Sequence, residues 1–372
     1  MKKIFLTFLL LIAIPVVASH IVGGEFELIH ISGNRYQLNL IIYFDKLNGL
    51  PGAKDQGGNS PRAAIYRKRD NTFLREVLMT LTTESGVAYT QPECSNGEIV
   101  TDRLFYTSEI TLSPEEFNDP EGYYVSWQRC CRNYQIDNIN SINVMQNPNS
   151  PLYAGQTFYL EFPAVVKDGT PFINSSPRLF PPLNDYACPQ RPYYVDFAGV
   201  DDDGDSLYYS LVTPLNTVAG VALPPRSPRP YPEVIWKPGF SLEKIMQGSP
   251  DLNISKDGLL RVTPTLQGLF VFAVKVEEFR DKIKIGESRR DFQMLVVDNC
   301  APALSPKIVG KKLADATYTY DNSMSVSFAN TVADEDRCIQ VRISDPDSEK
   351  ADNNFIEHIK IRVIGLNFKD LI

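Results

Sequence analysis

Residues 36–43 read Tyr36-Gln37-Leu38-Asn39-Leu40-Ile41-Ile42-Tyr43, an alternation of apolar and polar side chains that passes into a fully apolar run. A period of two puts successive side chains on opposite faces, so this stretch predicts a β-strand with one face in a core. Outward from it lie Ala63-Ala64-Ile65-Tyr66 and Leu104-Phe105-Tyr106, each bounded by Gly, Asn or Pro, with no long stretch of helical period between them. Short strands separated by turn residues predict a sandwich rather than a βαβ fold. Composition agrees: 20 Phe, 18 Tyr and 27 Pro against two Trp suit pleated, half-buried surfaces punctuated by loops.

The length of 372 residues predicts about two or three domains. The first covers 20–170. The second covers 171–300 and carries the strands Tyr193-Tyr194-Val195-Asp196-Phe197-Ala198, Gly258-Leu259-Leu260-Arg261-Val262, Gly268 to Val274 and Phe292 to Val297. A turn of helix is expected over Phe240–Gln247. The third, 301–372, has strands at Ser325–Phe328, Ile339–Ile343 and Ile359–Val363 and reads as half a sandwich. Its sheet edge then needs a partner or more chain. The fold class is all-β: tandem β-sandwiches of Ig-like or cadherin-like type, the last incomplete.

The chain opens with Lys2-Lys3, an apolar run from Ile4 to Val17 and the small residues Ala18-Ser19, which reads as a signal peptide over 1–19. The mature start is expected at His20, or alternatively Ser19. No Cys follows the cleavage point to carry a lipid, and no later stretch is apolar enough to span a bilayer. The expected location is the cell surface or the exterior.

Export makes the six cysteines, Cys94, Cys130, Cys131, Cys188, Cys300 and Cys338, three expected disulfides. Adjacent residues of a strand point to opposite faces, so Cys130 and Cys131 are expected in different bridges, with Cys94 and Cys188 as partners in either order. Cys300 with Cys338 is the remaining pair. Zinc is disfavoured because none of the three histidines lies near a cysteine pair.

The formal net charge of −8 argues against nucleic acid and suits divalent cations. Asp201-Asp202-Asp203-Gly204-Asp205 concentrates that charge. Alternating Asp201, Asp203 and Asp205 can direct hard oxygens at one Ca²⁺, with Asp196 or Asp298 completing a structural site. It is not an EF-hand loop, whose sixth and twelfth positions are here Ser206 and Val212. The rival reading is a solvated acidic turn. A weaker cluster is Asp345, Asp347 and Glu349 with Asp352.

Ile21-Val22-Gly23-Gly24 is how an activated trypsin-like protease begins, but no Ala-His-Cys context exists for a base and Gly204-Asp205-Ser206 lacks the following glycines. Redox chemistry lacks CxxC spacing. Paired carboxylates have no short signature, so glycosidase chemistry is the rival from another class. Asn174-Ser175-Ser176 is a formal sequon, to which nothing is attached.

His20-Ile21-Val22-Gly23-Gly24-Glu25, Arg35-Tyr36-Gln37-Leu38 with Tyr43-Phe44-Asp45, and Trp127-Gln128-Arg129-Cys130-Cys131-Arg132-Asn133 together resemble the N-terminal region of large secreted Bacteroidetes proteins. In that family an SHIVGGE start, a YRDC-like strand and a W…CCRN strand recur. Such chains commonly end in a gliding-motility-associated domain and leave by type IX secretion. Asn174 through Cys188 to Tyr209, with Gly258 to Gly268, looks like the cadherin-like module that follows. Lys46 stands where the family has the Cys of YRDC, which implies one disulfide fewer or a changed partner for Cys94. No sorting domain is recognised. The resemblance implies a non-catalytic, adhesin-like or structural surface protein, linked to gliding or attachment. Contact is expected through aromatic and Pro-rich loops such as Leu223–Pro232, with a polysaccharide or another surface protein as partner. The alternative is a carbohydrate-active enzyme or its carbohydrate-binding module.

Overall fold

A computed structural model describes residues 21–49, 51–87, 100–142, 150, 152–180, 186–298, 307–321, 328 and 338–344. The expected signal peptide, Cys94, Cys300 and the second acidic cluster lie outside these residues. The protein is all-β. Its first strands are β1 (Ile21–Ser32), β2 (Arg35–Asp45), β3 (Arg62–Arg67), β4 (Phe73–Leu78), β5 (Thr80–Gly86), β6 (Thr101–Thr111), β7 (Tyr123–Cys130) and β8 (Gly155–Phe162). Short pieces follow: β9 (Val166–Lys167), β10 (Thr170–Pro171), β11 (Arg178–Leu179), β12 (Tyr193–Asp196) and β13 (Gly199–Val200). Then come β14 (Ser206–Val212), β15 (Asn253–Ile254), β16 (Leu259–Val262), β17 (Gly268–Arg280) and β18 (Ile283–Val296).

The large antiparallel sheet runs β4-β3-β7-β8-β18-β1-β2-β6-β5, with β17 and then β14 branching from β18, and it is nearly barrel-shaped. β18 therefore has β17 along one edge and, on the other, β8 at Glu287 and Ser288 followed by β1 at Asp291. One sheet thus crosses the boundary expected near residue 170, and the described residues up to 298 cluster as one compact unit.

The quoted stretch explains the layering. Leu38, Leu40, Ile42 and Phe44 of β2 enter a first core together with Val125 and Trp127 of β7 and Phe158 and Leu160 of β8. Ile41 and Tyr43, on the other face, enter a second core with Phe272 and Val274 of β17, Phe292 and Met294 of β18, and Leu260 and Val262 of β16. The run at 40–44 is apolar throughout because its strand is covered on both sides. On the outer face of β3, β7 and β8, Tyr66, Tyr124, Tyr159 and Tyr231 form a separate cluster.

The strands expected at Gly268–Val274 and Phe292–Val297 are two ends of one hairpin. β17 and β18 pair from Gly268↔Val296 to Arg280↔Ile283, closed by Asp281-Lys282 at φ of +53° and +67°. Positive φ at both central residues matches the hairpin twist, but the glycine that usually announces such a turn is absent. The helix expected over Phe240–Gln247 is instead a turn bridged between Ser241 and Lys244. Ile245 and Met246 leave that turn into the second core, so tertiary burial overrides a weak local helix preference.

Residues from 299 onward belong to a separate unit. There β19 (Lys307–Lys312), β20 (Tyr320–Asp321) and β21 (Ile339–Ser344) pair antiparallel in the order β20-β19-β21. The strands expected at 325–328 and 359–363 lie outside the described residues, Phe328 excepted. Among the described residues no helix is long and apolar enough to cross a membrane.

Candidate functional site

The acidic run folds as a tight turn entering β14. Asp201 Oδ1 accepts the backbone N–H groups of Asp203 (3.0 Å) and Asp205 (2.9 Å), and Gly204 takes a φ of +82°. These local bonds gather the carboxylates of Asp201, Asp203 and Asp205 to within 4.8 Å of one another. Neither Asp196 nor Asp298 belongs to that group. Asp196 sits on β12, where its carboxylate accepts the N–H of Ala198. β14 begins beside Phe279, which pairs Lys284, so Asp298 lies past the far end of β18 at about 3.3 Å per residue.

Beside that group, though not part of it, lies Glu278, which the sequence reading missed. The register Leu207↔Glu278 carries it to the turn. Glu278 continues the inward face of β17 after Phe270, Phe272, Val274 and Val276, and a carboxyl in phase with buried apolar residues is the signal that marks it. Burial pushes the Glu278 carboxyl up to about 9, with the charges of Asp201 and Asp205 adding to the effect, so it holds a proton at neutral pH. Burial also raises the Asp201 carboxyl. Its Oδ2 is buried without a hydrogen-bond partner.

One guanidinium answers these acids. Arg280 Nε and Nη2 bond the two oxygens of Asp205 at 2.7 and 2.5 Å, and Nη2 also reaches Asn174 Oδ1 at 2.7 Å. Asp203 Oδ2 accepts the N–H of Ser175 at 2.5 Å, and Asn174 Nδ2 donates to Glu278 at 2.7 Å. Asn174 is buried, which closes it to a glycan. Ser176 and Ser175 use their hydroxyl oxygens to accept the N–H groups of Leu28 and His30, tying the segment to β1. The donor set is all oxygen, as Ca²⁺ requires, and Asp201 Oδ2 is left without a hydrogen-bond partner. The residues fit a hard cation held by Asp201, Asp203 and Asp205, the last of them shared with Arg280.

The paired motifs at the N-terminus and in β7 are structural. Gly23 and Gly24 are required by close approach, because a Cβ on Gly23 would lie 1.8 Å from the Asp291 carbonyl oxygen and one on Gly24 would lie 2.3 Å from that of Ile41. Glu25 follows them and bonds Arg290 at 2.7 and 3.1 Å, both residues fully buried, while the Tyr43 hydroxyl donates to the same carboxylate at 2.8 Å. Burial, reinforced by Glu25, holds the Tyr43 phenol well above its ordinary value.

No family model matches the chain, and no curated protein matches it.

Cys130 and Cys131 are bonded to each other, which corrects the expectation of two different bridges. The alternation argument required the strand to continue. β7 ends at Cys130, so strand alternation does not extend to Cys131. Cys188 is disulfide-bonded, and Cys338 is exposed in the second unit. The Pro-rich loop through which contact is expected lies across β3, β7 and β8. Gln128 Nε2 donates to Ser227 Oγ (2.9 Å), the Tyr231 hydroxyl to Ser126 Oγ (2.7 Å), and Arg229 Nη1 to Glu161 (3.1 Å).

Proposed function

We propose that this chain is an exported, non-catalytic surface protein of adhesin-like or structural type, stiffened by calcium at the turn 201–205. The supporting observation is the cluster of Asp201, Asp203 and Asp205, which carries more negative charge than Arg280 neutralises. Extracellular calcium modules work at about 10⁻⁴–10⁻³ M, a regime that a partly compensated site suits. A cadherin-like or Ig-like layer is supported by the way β12 and β16 pack on β14 and β17 across the second core, on the sheet that the latter two share with the first segment. The partner is a polysaccharide or another surface protein, and attachment or gliding is the setting that the N-terminal resemblance implies.

Two measurements test this reading. Millimolar Ca²⁺ raises the melting temperature, chelator reverses the rise, and Asp203→Asn with Asp205→Asn abolishes it. If wild type and double mutant melt together at every calcium concentration, the acidic run is a solvated turn. Incubation with a polysaccharide panel yields no cleavage products; turnover sinks the non-catalytic reading.

A further inference from the structure

The Pro-rich segment roofs a cavity of ≈180 Å³ on the outer face of β3, β4 and β7. Its floor includes Ala64 and Ser126, which pair directly in register, and two small side chains opposite each other leave the space open. Leu223, Pro224 and Ser227 line it from the roof, Gly58, Asn59 and Ser60 from the neighbouring loop, and Tyr66 from β3. Arg62 and Arg226 also line it, each bonded to Glu76 between them at 3.2 and 3.3 Å. The roof is preformed, since Ser227, Arg229 and Tyr231 are pinned to the sheet and the Arg226 guanidinium stacks 3.8 Å over Phe73.

We propose that this cavity binds one neutral sugar residue. Sites for drug-sized ligands run to roughly 300–1,000 Å³, so this one suits a single ring. The Tyr66 hydroxyl is buried without a partner, and burial pushes it up to about 12, so it stays protonated and both donates and accepts. Ser126 and Ser227 each accept one bond through Oγ, which leaves each O–H to donate. Arg62 and Arg226 keep spare N–H donors, and Glu76 adds an acceptor. Donors and acceptors crowded around a small volume match vicinal hydroxyls, while Leu223 and Pro224 offer an apolar surface to the C–H face of a ring. Both guanidiniums are bonded to Glu76, so these charges are engaged with one another and the hydrogen-bonding capacity that remains suits a neutral ligand.

The proposal rests on the binding reading above, but the two fail separately: polysaccharide turnover overturns that reading, and absence of cavity-dependent binding overturns this one. The test is calorimetric titration of the full chain with methyl glucoside, methyl galactoside and methyl mannoside, with glucuronate and glucosamine as charged controls. The expected result is saturable binding of at least one neutral glycoside. Ala64→Leu, which fills the floor, abolishes it, and Glu76→Gln weakens it about tenfold, the loss of one charged hydrogen bond. Melting curves establish that each variant is folded; if Ala64→Leu is not, Glu76→Gln alone decides. No binding of any neutral glycoside, binding of the charged sugars only, or affinity unchanged in the folded variants overturns the proposal.

Discussion

Arg132, just past the end of β7, donates to both carboxylate oxygens of Asp291 on β18, its Nη1 at 2.6 Å, and both groups are buried. Arg132 also bonds the carbonyls of Gly155 (2.7 Å) and Leu215 (3.2 Å), so its donors are widely used. Burial raises the Asp291 carboxyl. The neighbouring Arg290 points to the opposite face and holds Glu25, so two consecutive residues of β18 secure both motifs of the first segment.

Arg132→Met strips Asp291 of its partner and leaves a buried carboxylate uncompensated. Removal of one member of such a pair costs about 3–5 kcal/mol. Urea unfolding of the variant should show a loss of that size, with Arg132→Met/Asp291→Leu recovering part of it; a loss below about 1 kcal/mol contradicts the assigned role.

Gly23→Ala forces a methyl against the Asp291 carbonyl and moves β1 away from β18. Overpacking costs typically about 1–3 kcal/mol, and here the obstacle is backbone, which cannot rotate aside. Gly33→Ala is a control for space alone, since nothing lies within 4 Å of its Cβ position, although its φ of +54° adds local strain. Equal midpoints for wild type and Gly23→Ala in urea would dismiss the close-approach argument.

Burial, with the charge of Glu25 adding to it, pushes the Glu27 carboxyl up from 4.5 to about 7. Between these values the folded state holds the proton that the unfolded state has lost. Stability therefore falls as pH rises from about 4.5 through about 7, by on the order of 3 kcal/mol in full. Glu27→Gln should flatten this part of the stability-against-pH profile and leave the variant the more stable form at pH 8. A profile parallel to wild type from pH 4 to 8 excludes Glu27 as its source.

Arg280 competes for Asp205 with any cation at the turn. Arg280→Gln removes the competing charge and should tighten Ca²⁺ by roughly tenfold, on the order of 1.4 kcal/mol. The readout is a larger calcium-induced shift in melting temperature than wild type shows. A smaller shift means that Arg280 builds the site instead of competing for it.

A fragment of residues 20–170 lacks β18 and with it the pairing edge of β1 and β8 and the partners of Glu25 and Arg132. Such a fragment should show no cooperative thermal transition, whereas 20–298 should unfold in one. A sharp melt for the shorter piece would make it an independent domain.

The sequence by itself determined the class. Runs such as Leu38 to Phe44 and Phe270 to Val276 are apolar wherever a strand meets a core, and local burial writes itself directly into composition. The acidic turn was also legible, because Asp201, Asp203 and Asp205 are close along the chain. Glu278 was not, because only the pairing of β14 with β17 brings it there. Nor was the centre of the β17–β18 hairpin: Glu277, Glu278, Arg280, Lys284, Glu287, Arg289, Arg290 and Asp291 lie between the expected strands and carry no apolar pattern. Tertiary structure made them strand by supplying partners, among them Lys284 with Glu277 at 2.7 Å and Arg290 with Glu25. A charge enters an interior only when its counter-charge is already placed, and that placement is a property of the folded chain.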